Sequence, residues 1–525
     1  MNNKTKNLLI AILILAFFIK IVCVFEKELY YDESSLLFFL EFGEEFPHPF
    51  LSIFFLKIAY LFSKTEVWVL RIVPLLFTVF NSLLIFKIGE KIYNTKVAVA
   101  SLLLYLFLFW PLSMGVSIDH DGTSLLFTIL LASYFYLNYR KEQSKKNAIL
   151  FGVALGLSFL TKNTALIMTP IFFLDLSIQQ NLLKNREKIF SNILPFFIAF
   201  AILASYTVIT SQIWPEEVES IIKHSKSSVY FSLIPNLFIF IYLGLFATPI
   251  LIFPFILQIL KRKKEDLFCF IWFIIYFIVY LFSHHIELLT IPFDRYLIVI
   301  FPPLAFLSGK YLVESKINIK SLIKYFASFL LIFNFIFITY NPRMVDHDPI
   351  GFITVWKDGD FLFPITSNQQ PFIQLPFSVL VTTYFLSFIL FLLMIRKNKK
   401  AVVIFVALLA SYNFVLIEQY AFKINYIDYD ESVRAAKGII DLENPNSILV
   451  NNEALYMYAR DKKINEISIF RYTNIDETYT KENSLLIISE NLKIPEEKVE
   501  RLTKNCSLIK SLQTNNYLAM RAYKC

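Results

Sequence analysis

Five carboxylates crowd one short stretch of this chain. Tyr30 to Leu51 reads YYDESSLLFFLEFGEEFPHPFL and carries Asp32, Glu33, Glu41, Glu44 and Glu45, with His48 between two prolines. A second acidic group, Ser117-Ile118-Asp119-His120-Asp121-Gly122, precedes an apolar run. Two cations stand in comparably apolar surroundings: Lys162 in GLSFLTKNTALIMTP, and Arg295, followed by Tyr296, in PFDRYLIVIFPPLAFL. Carboxylates can take a proton from a hydroxyl group, and cations can neutralise a phosphate on which charge develops. Arginine suits phosphate because its planar fork donates two parallel bonds. Plainer roles stand beside these. Asp32 and Glu33 can cap a surface helix, and Asp119 or Asp121 the helix that follows them. Lys162 can snorkel to headgroups, and Arg295 can pair with Asp294. His284, His285 and Glu287 have ligand chemistry, as do Asp346, His347 and Asp348, but no second set at metal spacing accompanies either group.

The elements that must position these groups are membrane helices. Of 525 residues 56% are hydrophobic, with 57 Phe and 11 Gly, and the apolar residues fall in long uncharged runs. This excludes an ordinary soluble core and predicts a polytopic bundle. About thirteen spans are expected, at 7–25, 66–88, 97–115, 123–139, 147–161, 164–180, 189–212, 231–260, 267–283, 296–313, 321–340, 374–395 and 401–419. The net charge of +8 belongs to Lys/Arg clusters between runs, such as Lys261-Arg262-Lys263-Lys264, and not to nucleic-acid binding. With the N-terminus cytoplasmic, every inside connection is basic, while the outside loops 26–65, 116–122, 213–230, 284–295 and 341–373 are acidic or mixed. Two helices lying on the outer surface are expected after the first span, at 34–42 (SSLLFFLEF) and 49–62.

After residue 420 the texture changes. Residues 430–525 alternate short runs, helix-like DESVRAAKGIIDL and EALYMYARD with SILVNN and SLLIIS, which predicts a soluble α/β domain at 421–525 on the extracytoplasmic side, beyond the membrane part at 1–420. Cys506 and Cys525 both fall there, and a disulfide between them is plausible on that side of the membrane.

No phosphate-binding Gly-rich loop, Gly-x-Ser-x-Gly elbow or His-Glu-x-x-His occurs. Asp32-Glu33 after the first span, followed by His48-Pro49-Phe50-Leu51, resembles the first outer loop of type C glycosyltransferases, above all the protein O-mannosyltransferases and the lipid A aminoarabinose transferase. Asp121 (with Asp119 as runner-up), Leu160-Thr161-Lys162 and Arg295-Tyr296 are similar to further features of those families. The departure is at His48-Pro-Phe-Leu, where relatives often have a basic or polar residue before Pro-Pro-Leu. The resemblance implies an all-α membrane bundle with a small outer α/β domain, in a multi-pass protein of the cell membrane. It implies a polyprenyl-phosphate sugar donor and a protein, lipid or glycan acceptor. Asp32, Glu33, Asp121 and Asp119 would be the catalytic acids, and His48, Lys162, Arg295 and Tyr296 would meet the donor phosphate. Some relatives hold a divalent ion near these acids; no metal ligand is assigned here. The Trp-Trp-Asp of oligosaccharyltransferases is absent. A transporter would show duplicated halves with matching broken helices, and none is seen. A non-catalytic glycan-binding protein remains the other alternative.

Overall fold

A computed structural model describes residues 3–25, 36, 40, 50–62, 67–115, 122–180, 187–213, 249–261, 263–282, 298–339, 360–364, 372–421, 426–427, 431–450, 453–462, 464–469, 484–489, 496–504, 506–514 and 517–525. A helix lies within each of the thirteen expected spans. In order these are α1 (Asn3–Phe25), then, after a short helix α2 (Phe50–Phe62), α3 (Val67–Ile92), α4 (Thr95–Phe107) with α5 (Phe109–Met114), α6 (Thr123–Lys141) and α7 (Lys145–Thr161). There follow α8 (Met168–Gln180), α9 (Glu187–Ile213), α10 (Pro249–Ile259), α11 (Leu267–Phe282), α12 (Phe301–Glu314), α13 (Ile319–Thr339), α14 (Phe377–Ile395) and α15 (Lys399–Ala421). Among the described residues, five stretches are long and apolar enough to cross a membrane: Trp68–Ile92, Asn192–Gln212, Ile319–Thr339, Ser378–Ile395 and Lys399–Gln419. The helix α2 is where the second surface helix was expected. The first, at 34–42, lies outside the described residues except for helical Leu36 and Leu40.

Three departures from expectation have physical causes. The span expected at 97–115 is two helices, because Pro111 offers no N–H to the carbonyl of Phe107 and the chain opens into an extended residue at Leu108. The run 164–180 opens as a tight 3-10 turn over Asn163–Ile167, set off by the extended Lys162. The outer loop 341–373 contains a strand, β1 (Asp360–Pro364), antiparallel to β2 (Phe372–Pro376), so α14 starts after Pro376. The strand β2 in turn pairs with β3 (Tyr426–Ile427), tying that loop to the segment after α15.

The C-terminal region is a five-stranded mixed sheet, ordered β5-β4-β6-β8-β7, with β4 (Ser447–Val450), β5 (Glu466–Ile469) and β6 (Ser484–Ser489) parallel. The strands β7 (Ser507–Thr514) and β8 (Tyr517–Lys524) form an antiparallel hairpin, with β8 against β6. Helices α16 (Glu431–Glu443), α17 (Glu453–Asp461) and α18 (Glu496–Thr503) alternate with the strands. Cys506 and Cys525 are joined in a disulfide at the open end of the hairpin. One buried apolar cluster runs from Leu36, Leu40, Ile53, Leu56 and Tyr60 into Ile439, Ile448, Leu455 and Ile487 of this sheet and its helices. The C-terminal unit is therefore seated on α2 and the residues just before it.

Candidate active site

One end of the bundle gathers the last turns of α1, α5 and α7, the first turns of α3, α6 and α12, and the helix α2. The short helix α5 is held at both ends by side chains from elsewhere. At its start the N–H of Phe109 donates to Asn413 Oδ1 of α15 (2.8 Å), and Asn413 Nδ2 donates to the Phe107 carbonyl that Pro111 leaves without a helical partner (2.6 Å). At its end the buried Lys20 of α1 donates from Nζ to the carbonyls of Pro111 (3.2 Å) and Leu112 (3.3 Å). Gly115 allows this approach, since a Cβ there would stand 2.6 Å from Lys20 Nζ and 2.7 Å from Thr78 Oγ1. Across the loop, Asn81 Nδ2 donates to the carbonyl of Thr123, the first residue of α6 (3.0 Å). The described residues on either side of 116–121 are thus held by side chains of α1 and α3. The cap position of α6 belongs to Gly122, so Asp121 stands one residue before the place where a capping side chain would act.

Lys162 is 7% exposed, sits in extended backbone (φ −161°, ψ 143°) and separates α7 from the 3-10 turn. Its N–H closes α7 onto Ser158 (3.2 Å), while its carbonyl accepts from Ala165 (3.0 Å) and opens the next element. The polar run Thr161-Lys162-Asn163-Thr164 breaks the helix there because these residues compete for backbone hydrogen bonds. An aromatic chain from Phe55 to Phe77 (5.2 Å) and on to Phe127 (5.3 Å) ties α2 through α3 to α6.

Of the residues nominated from the sequence, Lys162 is in place at this end. Asp32, Glu33, His48, Asp119, Asp121, Arg295 and Tyr296 lie outside the described residues, as do His284, His285, Glu287 and Asp346-His347-Asp348. Among the described residues no three His, Cys, Asp or Glu side chains gather as a metal site. The structure adds two cations that the sequence reading passed over: Lys20 and Arg71, each 1% exposed inside an apolar helix. None of Lys20, Arg71 and Lys162 is without a partner. Half-buried Glu418, in the last turns of α15, was also passed over; its Oε2 is buried with no hydrogen-bond partner among the described residues. The available signal was that ionisable residues inside an apolar run are expensive and so mark function.

Residues 47–212 match the sequence profile of the dolichyl-phosphate-mannose-protein mannosyltransferase family. In structure the chain is similar to ArnT from Cupriavidus metallidurans in the apo state, with a TM-score of 0.62 at 11% identity over 99% of this chain and 98% of that one. The chain has the type C glycosyltransferase fold. ArnT bound to undecaprenyl phosphate gives the same TM-score at 13% identity, again over 99% and 98% of the two chains. The archaeal oligosaccharyltransferase AglB from Archaeoglobus fulgidus, in complex with an inhibitory peptide and a dolichol-phosphate, is a more distant likeness, with a TM-score of 0.44 at 10% identity over 99% of this chain and 74% of that one. No curated protein sequence matches the chain. The hydrophobic helices of this fold make the chain a membrane protein, with charged residues buried at the end where α1, α5 and α7 finish.

Proposed function

We propose that this protein is an integral-membrane glycosyltransferase moving a sugar from a polyprenyl-phosphate donor to a hydroxyl of a protein, lipid or glycan on the extracytoplasmic face. The observation that carries the reading is that, at one end of a type C fold, the fully buried charged side chains among the described residues are all cations, Lys20, Arg71 and Lys162. Buried positive charge of that kind suits an anionic leaving group arriving through the bilayer. In this reading Asp32 takes the proton as the acceptor oxygen attacks the anomeric carbon, and the bond to the phosphate breaks with its electron pair on oxygen. Glu33, Asp121 or Asp119 orients the acceptor. Lys162, Arg295, Tyr296 and His48 stabilise the departing phosphate. A single displacement inverts the anomeric centre.

The topology in this reading has thirteen crossings, a membrane part to about residue 420 and a C-terminal domain at 421–525 outside the cell. The basic inside loops support that orientation, and so does the disulfide between Cys506 and Cys525, a bond that persists in oxidising compartments. The test is sugar release in detergent from a panel of polyprenyl-phosphate hexoses and pentoses, with and without a chelator. Asp32→Asn is expected to lower turnover by about a hundredfold or more with the fold intact. Absence of release from every donor would overturn the reading, and loss on chelation would add a divalent ion to it.

A further inference from the structure

We infer that Lys20 and Asn413 are positioning residues that clamp the two ends of α5 and so fix the Gly115 end from which the chain continues into residues 116–121; the link to catalysis rests on the proposed transferase reading. The break at Leu108 makes α5 a separate six-residue piece and not the continuation of α4. A helix that starts afresh after a break leaves a carbonyl behind it and N–H groups ahead of it in want of partners. Asn413 supplies both with one amide group: its oxygen takes the Phe109 N–H and its nitrogen serves the Phe107 carbonyl. Only a side chain with a donor and an acceptor side by side can do this.

The far end of α5 has the complementary need, because its last carbonyls carry partial negative charge. Lys20 meets it with a buried ammonium on Pro111 and Leu112. A lysine inside an apolar helix is costly, and an apolar residue there would pack against lipid or helix at far lower cost. The clamp also explains Gly115, where any larger residue would collide with Lys20 Nζ and Thr78 Oγ1. Beyond Gly115 the next residues are the loop, and Asn81 fixes the point where it re-enters at Thr123. The entry is held by α1 and α15 and the exit by α3, so movement of α5 moves the Gly115 end to which residues 116–121 are joined.

The experiment uses the full chain in detergent with Cys23 and Cys269 replaced by serine and Ser117→Cys introduced in the loop. The rate of maleimide labelling at position 117 reads the loop's placement without reference to activity. Lys20→Met and Asn413→Leu are each expected to change that rate about fivefold or more, at an unfolding midpoint close to the parent's. Lys20→Arg keeps a charged donor and Asn413→Asp keeps the acceptor for Phe109, and both are expected to fall between parent and severe variant. The Lys87→Met control, at the other end of α3, leaves the rate unchanged. With Ser117 restored, turnover on the donor panel falls about tenfold or more in the severe variants while donor KM stays within about twofold. Unchanged labelling in Lys20→Met and Asn413→Leu would overturn the inference, as would equal damage from the conservative pair together with a collapsed midpoint. Shifted labelling in a chain that transfers no sugar would keep the clamp and discard the transferase reading. Sugar transfer unaffected by either severe variant would do the reverse.

Discussion

The two ends of the bundle treat buried charge in opposite ways. At the end where α3 finishes and α6 and α8 run out, buried charges come with their counter-charges. Lys310 is held by Asp266 (2.6 Å) and Glu265 and lies over the Tyr93 ring (4.7 Å), while Gln258 donates to the other Asp266 oxygen (2.9 Å). Asp175, fully buried in α8, takes Arg140 Nη1 (3.0 Å) and the Tyr136 hydroxyl. Lys261 and Lys263 share Glu314 at 2.8 and 2.7 Å. At the opposite end the described contacts of buried Lys20 are backbone carbonyls, and the charged residues buried whole are Lys20, Arg71 and Lys162, beside the buried Oε2 of half-exposed Glu418. A closed ion pair locks helices and offers nothing to a ligand. The buried cations stand instead beside breaks in two helices, at Leu108 and at Lys162, which is what separates an ion-pair lock from a candidate site.

That contrast can be broken by mutation. Asp266→Ala removes one partner of a buried pair and is expected to cost about 3–5 kcal/mol of stability, read as a lower unfolding midpoint in detergent. Transfer per folded molecule should be unchanged; a fall in turnover at constant midpoint would erase the distinction between the ends. Cysteines sharpen it from another side. Cys269, at the ion-paired end beside Tyr93, has a free, buried thiol, whereas Cys506 and Cys525 close a separation of 19 residues. Cys506→Ser, or reductant on the intact chain, is expected to lower the stability of the C-terminal unit by about 3 kcal/mol, read by proteolysis of that unit. Lys162→Met should leave the midpoint nearly unmoved while lowering transfer about 10- to 100-fold, the worth of one charged hydrogen bond. In the same assay Arg295→Ala should hurt more than His48→Ala, because a permanently charged planar fork can bind two phosphate oxygens at once and an imidazole nitrogen only one.

The smallest effect belongs to a surface pair in the C-terminal unit. Lys462 (2.8 Å) and then Tyr458 (2.7 Å) hold the Asp441 carboxyl below its usual value of 3.8. A carboxyl depressed in the folded state adds stability at neutral pH, which is lost as the pH falls from about 3.8 downward. Asp441→Asn should therefore flatten the acid limb of the unfolding midpoint there, with little change at pH 7.

Much of this could be read from the chain alone. The thirteen apolar runs each contain a helix, and the Thr161–Thr164 tetrad marks a true break, because local polar competition is written in adjacent residues. The alternation after residue 430 likewise gives helices and strands where it predicts them, down to SILV at β4 and SLLIIS at β6. What escaped depends on distant partners. The break at Leu108 needs Asn413, 304 residues beyond Phe109, to be tolerable. The strand β2 forms against β3, which follows two further helices. Lys20 and Arg71 look like interruptions of apolar runs until the backbone of α5 and the first turns of α3 are in place around them.

The apolar cluster that joins Leu36 and Leu40 to Ala436 and Ile439 sets an order of events during synthesis. Some 400 residues separate its two halves. At about 5–20 residues per second, roughly 20–80 s pass between the emergence of the first loop and the arrival of the surface that covers it. Until then Leu36, Leu40 and the matching face of α2 lack the surface that buries them in the finished chain.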